Sequence, residues 1–280
     1  MPITDSVARA VGRARQSPVG ARARMAAAAP RLALSGDRTG RAIARAVRDA
    51  SLGRVGEGDR SWVERIEARR ERLLAERGAT GPAFDPGGSG PDGAFSMGQE
   101  QTTVGVASAF MSLQRAWCLL LFRLVRELRP RSCLELGTGF GISGSYLAAA
   151  LERNGEGRLT TLEGSEDWAR HALEGFRELG LAELVDLRVG PIAESLLDLP
   201  DAAGSFDLAF IDAEHQAEAT LEEFNAVAPL LTPGAVVVID DVNWEPVRRA
   251  FDRLGGHERV SLAVAVGRLG LIVTTSGAAA

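Results

Sequence analysis

Lysine is absent from this sequence: all 32 basic residues among its 280 are arginine. The bias fits a GC-rich, bacterial genome and has no physical consequence by itself. Long hydrophobic runs are absent too. The most apolar stretch, 117–122 (WCLLLF), is flanked by Arg115 and Arg123, far short of the roughly 20 residues that span a bilayer. No membrane partner is expected. The first residues lack the apolar segment of a secretory signal. They are Arg-rich and acid-poor, as in a transit peptide, but a cytoplasmic chain is the preferred expectation. Only two cysteines occur, Cys118 and Cys133, both in apolar runs and outside any CxxC or Cys/His pattern. Neither a disulfide nor a zinc site is expected; buried free thiols in a reducing cytoplasm are. No internal repeat is present.

The remainder is ordinary globular composition, 45% hydrophobic and 25% charged. The length suits one large domain, or one domain with an appendage. Charge is uneven. Residues 1–80 hold 17 arginines against nine acids, so the rest of the chain carries −13 of a net −5. A basic half can meet nucleic acid or a membrane surface. Solvated helix faces or a subunit contact explain it equally and are preferred, so no nucleic-acid partner is expected.

Residues 1–77 read as short Ala- and Arg-rich helices, with apolar positions three and four apart, such as Ile43 and Val47, then Trp62, Ile66 and Leu73. Asp37 and Ser61 are the expected N-caps. Residues 78–101 open with a Gly/Pro-rich stretch that serves as a tether or as a lid beside a pocket. Residues 102–280 form the third segment. One long helix is expected over 102–128, stopped by Pro130. Strands at 132–136, 158–162, 185–189, 206–211 and 236–239 then alternate with helices at 144–153, 166–179, 192–197, 217–231 and 245–254. Ser165 can cap the second of these helices. Segments 260–266 and 269–274 close the chain as a hairpin around Gly267. The pattern is α/β: a Rossmann-like, doubly wound, mostly parallel sheet with a C-terminal antiparallel hairpin, preceded by a helical region.

After the first strand comes ELGTGFGIS (135–143), with Gly137, Gly139 and Gly141 between strand and helix. Such a turn lets backbone approach a ligand and aims helix N–H groups at it. Glu163 at the tip of the next strand is placed to hold ribose hydroxyls. Together they point to a nucleotide-like cofactor. A nicotinamide fingerprint is usually G-x-G-x-x-G without a preceding acid; here Glu135 precedes alternating glycines. The stretch resembles motif I of the class I S-adenosylmethionine-dependent methyltransferases. The resemblance covers 102 to the C-terminus, not residues 1–90. It implies that Gly137, Thr138, Gly139 and Gly141 flank S-adenosylmethionine and that Glu135 faces its amino group. It also implies that Ser143 reaches its carboxylate, Glu163 its ribose, and Gly190, Pro191 and Ile192 its adenine. Many relatives carry an acid where this chain has Pro191.

The segment VVVIDDVNW (236–244) drives apolar residues into two adjacent carboxylates. Two carboxylates about 4 Å apart repel by roughly 4 kcal/mol at an effective dielectric of 20. Solvent, a basic partner or a cation must offset that. FDLAFIDAEH (206–215) ends the preceding strand in Asp212. In an open parallel sheet both strand ends meet at one edge, so Asp212, Asp240 and Asp241 are expected to converge as an oxygen site fit for Mg²⁺. The two segments together resemble the metal-dependent small-molecule O-methyltransferases of the catechol, caffeoyl-coenzyme A and natural-product sugar types. Asp-Asp and His215 lie closest to the sugar group. The resemblance implies a hydroxylated acceptor: a sugar, a polyketide- or peptide-linked diol, or a catechol. In that reading His215 is the general base and the metal lowers the hydroxyl pKa. Asp212 serves metal and cofactor, or the cofactor alone as in metal-free relatives. Trp244 walls the acceptor pocket or packs. Met97, Gln99 and Gln101 are placed near the cofactor entrance. His171 and His257 have no partner pattern. Residues 1–77 are expected to cover the acceptor pocket as a lid or to build a homodimer, the expected assembly. A metal-independent methyltransferase and an RNA methyltransferase are the rivals; the latter lacks its Asn/Asp-Pro-Pro motif after the fourth strand.

Overall fold

A computed structural model describes residues 18–33, 37–80, 84–89, 95–97, 102–199 and 204–276. Three helices come first: α1 (Pro18–Ala33), α2 (Arg38–Ser51) and α3 (Glu57–Ala75). Asp37 caps α2, accepting from the Gly40 N–H at 2.6 Å. Ser61 does not cap: α3 starts a turn earlier, after Gly56, where Glu57 and Asp59 supply the acids that favour a first turn. The stretch expected to be wholly irregular contains short strands, β1 (Ala79–Thr80), β2 (Phe84–Ser89) and β3 (Phe95–Met97), and β4 (Thr102–Thr103) follows it. β1 pairs with β4 and β2 with β3.

The long helix expected over 102–128 is broken. It forms α4 (Val104–Met111) and α5 (Arg115–Leu128), bent by 57°. Ser112 turns extended at the end of α4, and Thr103 caps its start by accepting from the Val106 N–H. The break turns residues 110–112 toward the sheet edge, which matters below.

The sheet then builds by alternation: β5 (Ser132–Leu136), α6 (Ile142–Asn154), β6 (Arg158–Glu163), α7 (Glu166–Leu179), β7 (Val185–Val189), α8 (Ile192–Leu197), β8 (Phe206–Ile211), α9 (Ala217–Val227), β9 (Leu231–Ile239), α10 (Glu245–Leu254), β10 (Val260–Val266) and β11 (Leu269–Thr274). Ser165 caps α7 through the Trp168 N–H. The order is β10-β11-β9-β8-β5-β6-β7; β5 to β9 are parallel, and β11 and β10 are antiparallel. The direction of winding reverses at β5 and β8, where an open sheet leaves a crevice at its carboxyl edge.

Both faces of the sheet are buried, so its strands read as continuous apolar runs rather than alternating ones. Leu208, Phe210, Val236 and Val238 face one core with Met25 of α1, Ile43 of α2, Leu120 of α5 and Leu147 of α6. Ala209, Ile211, Val237 and Ile239 face the other, with Phe224 of α9 and Phe251 of α10. The N-terminal helices therefore share the sheet's core. Several of their charges are used in that docking. Asp49 of α2 pairs with Arg123 of α5 at 2.6 Å, Asp59 of α3 with Arg153 of α6 at 3.0 Å, and Arg69 donates to the carbonyl of His171 at 3.1 Å. Arg69 thus serves an internal contact, a use of N-terminal charge that neither sequence reading named.

Candidate functional site

A cleft of about 440 Å³ opens at the carboxyl edge of the sheet. One wall is the glycine turn after β5. Gly137 sits at φ +88°, and a Cβ there would lie 2.1 Å from the carbonyl oxygen of Asp212. Only glycine lets the turn pass that close to the end of β8. Gly139 at φ +53° faces open space instead, where a ligand can approach the backbone.

Two carboxylates stand behind this wall. Glu163, at the end of β6, accepts from the N–H groups of Gly139 (2.7 Å) and Ser165 (2.8 Å) and lines the cleft. Burial raises its pKa despite these bonds. Glu135 is fully buried and lies beneath the turn rather than on the cleft surface. Its Oε2 accepts from Thr161 Oγ1 at 2.7 Å, and Ser143 supplies a second hydrogen bond. Its Oε1 has no partner among the described residues. Burial pushes it up to about 7, against the pull of those hydroxyls. An unpaired buried carboxylate oxygen is costly, and a ligand cation beside it would satisfy it. Gly144 makes room, since a Cβ there would stand 2.7 Å from Glu135 Oε2.

Of the other residues expected at the cofactor, Thr138, Ser143, Ile192 and Asp212 line the cleft. Gly141, Gly190 and Pro191 do not; Gly141 packs against Ala172 of α7, where a Cβ would stand 2.9 Å from the alanine methyl. Phe140, Trp168, Phe110, Met111 and Ser112 line it without having been expected. The last three follow from the break between α4 and α5, which apolar periodicity alone conceals. Among the described lining residues none comes from 1–77. Gln99 and Gln101, and the side chain of Met97, lie outside the described residues.

The same cleft is also lined by His215, Asp212, Asp241 and Arg268. The three aspartates do converge at the ends of β8 and β9. Asp241 adopts φ +53°, a left-handed conformation that Asp tolerates better than most residues. Its carboxylate stands 4.0 Å from His215 Nδ1, and the Trp244 ring packs 6.0 Å from the imidazole. Trp244 thus packs beside the His215 ring and does not line the cleft.

The charge that offsets these carboxylates is Arg268, in the turn between β10 and β11. The Val242 N–H donates to the Arg268 carbonyl at 2.9 Å, tying the hairpin to the loop after β9. Arg268 Nε lies 2.6 Å from Asp240 Oδ1 and 3.1 Å from Asp241 Oδ1; Nη2 bonds Asp240 Oδ2 and lies 3.2 Å from Asp241 Oδ2. Burial pushes Asp240 up, but Arg268 outweighs it and holds that carboxyl below the usual range. Asp212 goes the other way, raised by burial and by the Asp240 charge.

The Mg²⁺ site expected here does not fit this arrangement. All four oxygens of Asp240 and Asp241 are engaged by one guanidinium. A Mg²⁺ ion needs such oxygens at 2.0–2.1 Å and would meet a like charge between them. No group of three or more His, Cys, Asp or Glu among the described residues has the geometry to hold a metal ion. The cofactor cradle does fit its ligand: glycine backbone open to the cleft, a carboxylate at the second strand tip, and an unsatisfied buried acid behind the turn.

Among the described residues no single helix is long and apolar enough to cross a membrane. The bent pair α4–α5 passes on length and composition together, but α5 is buried in the core.

Residues 134–242 match a family described as a methyltransferase domain. A catechol O-methyltransferase of Niastella koreensis is 36% identical over 120 residues, 42% of this chain and 52% of that protein. The chain spans about half the length of the curated relatives it matches. Among solved structures, the O-methyltransferase TomG of Streptomyces achromogenes, involved in tomaymycin synthesis and bound to S-adenosylmethionine, is 31% identical with a TM-score of 0.51. That match covers 59% of this chain and 82% of that one. An O-methyltransferase of Bacillus cereus in complex with S-adenosylhomocysteine is 26% identical, TM-score 0.52, covering 59% and 84%. With the glycine turn, the two strand-tip acids and the sheet order in agreement, the chain belongs to the class I S-adenosylmethionine-dependent methyltransferases.

Proposed function

We propose that this chain transfers a methyl group from S-adenosylmethionine to a hydroxyl oxygen of a small natural product. The acceptor classes are a sugar, a polyketide- or peptide-linked diol, and a catechol. One observation supports this most: a single cleft is lined both by the glycine turn with Glu163 and by His215 with Asp241. The relatives named as O-methyltransferases support the choice of oxygen.

The residues divide the work. The turn 137–141, Ser143, Glu163 and Ile192 hold the cofactor, and Glu135 faces its amino group from beneath. His215 takes the proton of the acceptor hydroxyl, and Asp241 stabilises the resulting imidazolium. The freed oxygen pair attacks the methyl carbon. The carbon–sulfur bond breaks, and its electron pair stays on sulfur as S-adenosylhomocysteine leaves. Much of the acceleration comes from alignment of oxygen and methyl. Phe110, Met111 and Ser112 border the acceptor's approach. Both cysteines are buried and free, which suits a reducing cytoplasm. A homodimer through the N-terminal helices completes the reading, and light scattering tests it.

The enzymatic test is methyl transfer from labelled S-adenosylmethionine to a panel of catechols, glycosides and polyketide diols. Product methylated on oxygen is the expected result, and His215→Ala should lower turnover by about 10²–10⁴. S-Adenosylmethionine binding measured alone at zero would sink the reading, whatever the panel gives.

A further inference from the structure

We propose that Arg268 is the resident cation of the carboxylate site, and that methyl transfer in this protein runs without a divalent metal. The inference rests on the methyltransferase reading above. Its ground is geometric. Two adjacent aspartates at the end of a buried strand require a positive charge. The chain supplies one from a different element, the β10–β11 turn, with its backbone pinned by the Val242 N–H. The guanidinium reaches both oxygens of Asp240 and both of Asp241. A planar fork matches paired carboxylates in a way a point charge cannot.

Burial strengthens the assignment. The Asp240 side chain is 1% exposed and that of Arg268 18%. A surface arginine can swing aside at little cost. This one would leave Asp240 charged, buried and unpaired.

Arg268 is a positioning residue in this scheme, not a catalytic one. It fixes Asp241, and Asp241 stands beside His215 Nδ1. The acceptor proton passes to His215, where the Asp241 carboxylate balances the new imidazolium charge. No metal-bound oxygen takes part. Acceptor recognition then does not require two neighbouring oxygens to chelate an ion, so an isolated hydroxyl is as suitable as a diol.

The test is a Mn²⁺ titration followed by electron paramagnetic resonance, on the full chain with S-adenosylhomocysteine present. The titration needs no acceptor, the turnover arm uses the acceptor that the panel above yields, and S-adenosylhomocysteine binding by calorimetry is scored separately, so failure here is distinguishable from failure of the methyltransferase reading. The wild type should leave the free Mn²⁺ signal unchanged up to about millimolar ion, and EDTA should not alter turnover. Arg268→Ala, which uncovers both aspartates, should bind Mn²⁺ at least about tenfold tighter and gain thermal stability when the ion is added. Arg268→Gln, which keeps more of the side-chain volume, serves if the alanine variant does not fold. One tightly bound Mn²⁺ per wild-type chain would overturn the proposal. So would turnover abolished by EDTA and restored by Mg²⁺, or folded variants whose ion affinity matches the wild type.

Discussion

Two buried carboxylates at the same edge of the sheet have opposite fates. Glu135 lies beneath the glycine turn with hydroxyls for company and no positive charge; burial lifts it to about 7. Asp240 is equally buried, yet Arg268 holds it below the usual carboxylate range. The contrast separates a site built to receive a cation from one that already has its own. At the cofactor end the missing charge is left for a ligand to bring. At the acceptor end the chain brings it from the β10–β11 turn.

Breaking the completed pair should give the larger effect. Asp240→Asn leaves Arg268 with Asp241 alone in a largely buried setting. Removing one partner of a buried ion pair destabilises by about 3–5 kcal/mol, and a loss near the lower figure is expected because Asp241 remains. Urea unfolding at neutral pH measures it. A change below about 1 kcal/mol would mean that the pair is solvated and that the contrast with Glu135 is false.

Glu135→Gln should act in the reverse sense on the free protein. The folded value of Glu135 lies above its unfolded one, so its contribution is fully present below the ordinary carboxyl range. That contribution is lost as pH rises through about 7. At pH 8 the ionised, half-satisfied group is a burden of up to about 3 kcal/mol, and the amide removes part of it. The free variant should therefore melt higher than the wild type at pH 8 and no higher at pH 5. Cofactor affinity should fall about 10- to 100-fold, the worth of one charge-assisted hydrogen bond. Calorimetry and a melting series give both numbers. A variant that is less stable at pH 8 and binds normally would make Glu135 a structural acid.

The cofactor end was legible because its chemistry is local. Strand, glycine turn, helix and the next strand tip follow one another within 135–163, and Gly137 has its conformation for a reason that a sequence displays. The convergence of Asp212, Asp240 and Asp241 was legible for a different reason: neighbouring parallel strands end at one edge of the sheet. Arg268 was not. It is one of 32 arginines, more than 20 residues beyond the carboxylates it neutralises, and only the antiparallel pairing of β11 against β9 brings it to them. The signal available was a basic residue after Gly267 at a hairpin tip, together with the electrostatic need for a counter-charge. The break at Ser112 escaped for another reason. Both halves are apolar enough to read as one helix, and a turn there depends on packing rather than on a glycine or proline.

The smallest effect sharpens the comparison without any mutation. If Glu135 awaits the cofactor's amino group, binding must pull it into the ionised form. Cofactor affinity should then be fully developed above the free-protein value near 7 and weaken as pH falls below it, by at most tenfold per unit. From pH 7.5 to pH 6 a loss of about tenfold is expected, roughly 1.4 kcal/mol. The rise must also end, because an α-amino group of ordinary pKa, about 7.7–8.0, loses its own charge. Affinity should thus peak between about pH 7 and 8, with a proton released on binding along the acid limb. Calorimetry in buffers of different ionisation enthalpy counts that proton. Asp240, already paired, should add nothing to the profile in this range. A flat affinity between pH 6 and 7.5 would show that Glu135 does not change its protonation on binding, which would sink this role.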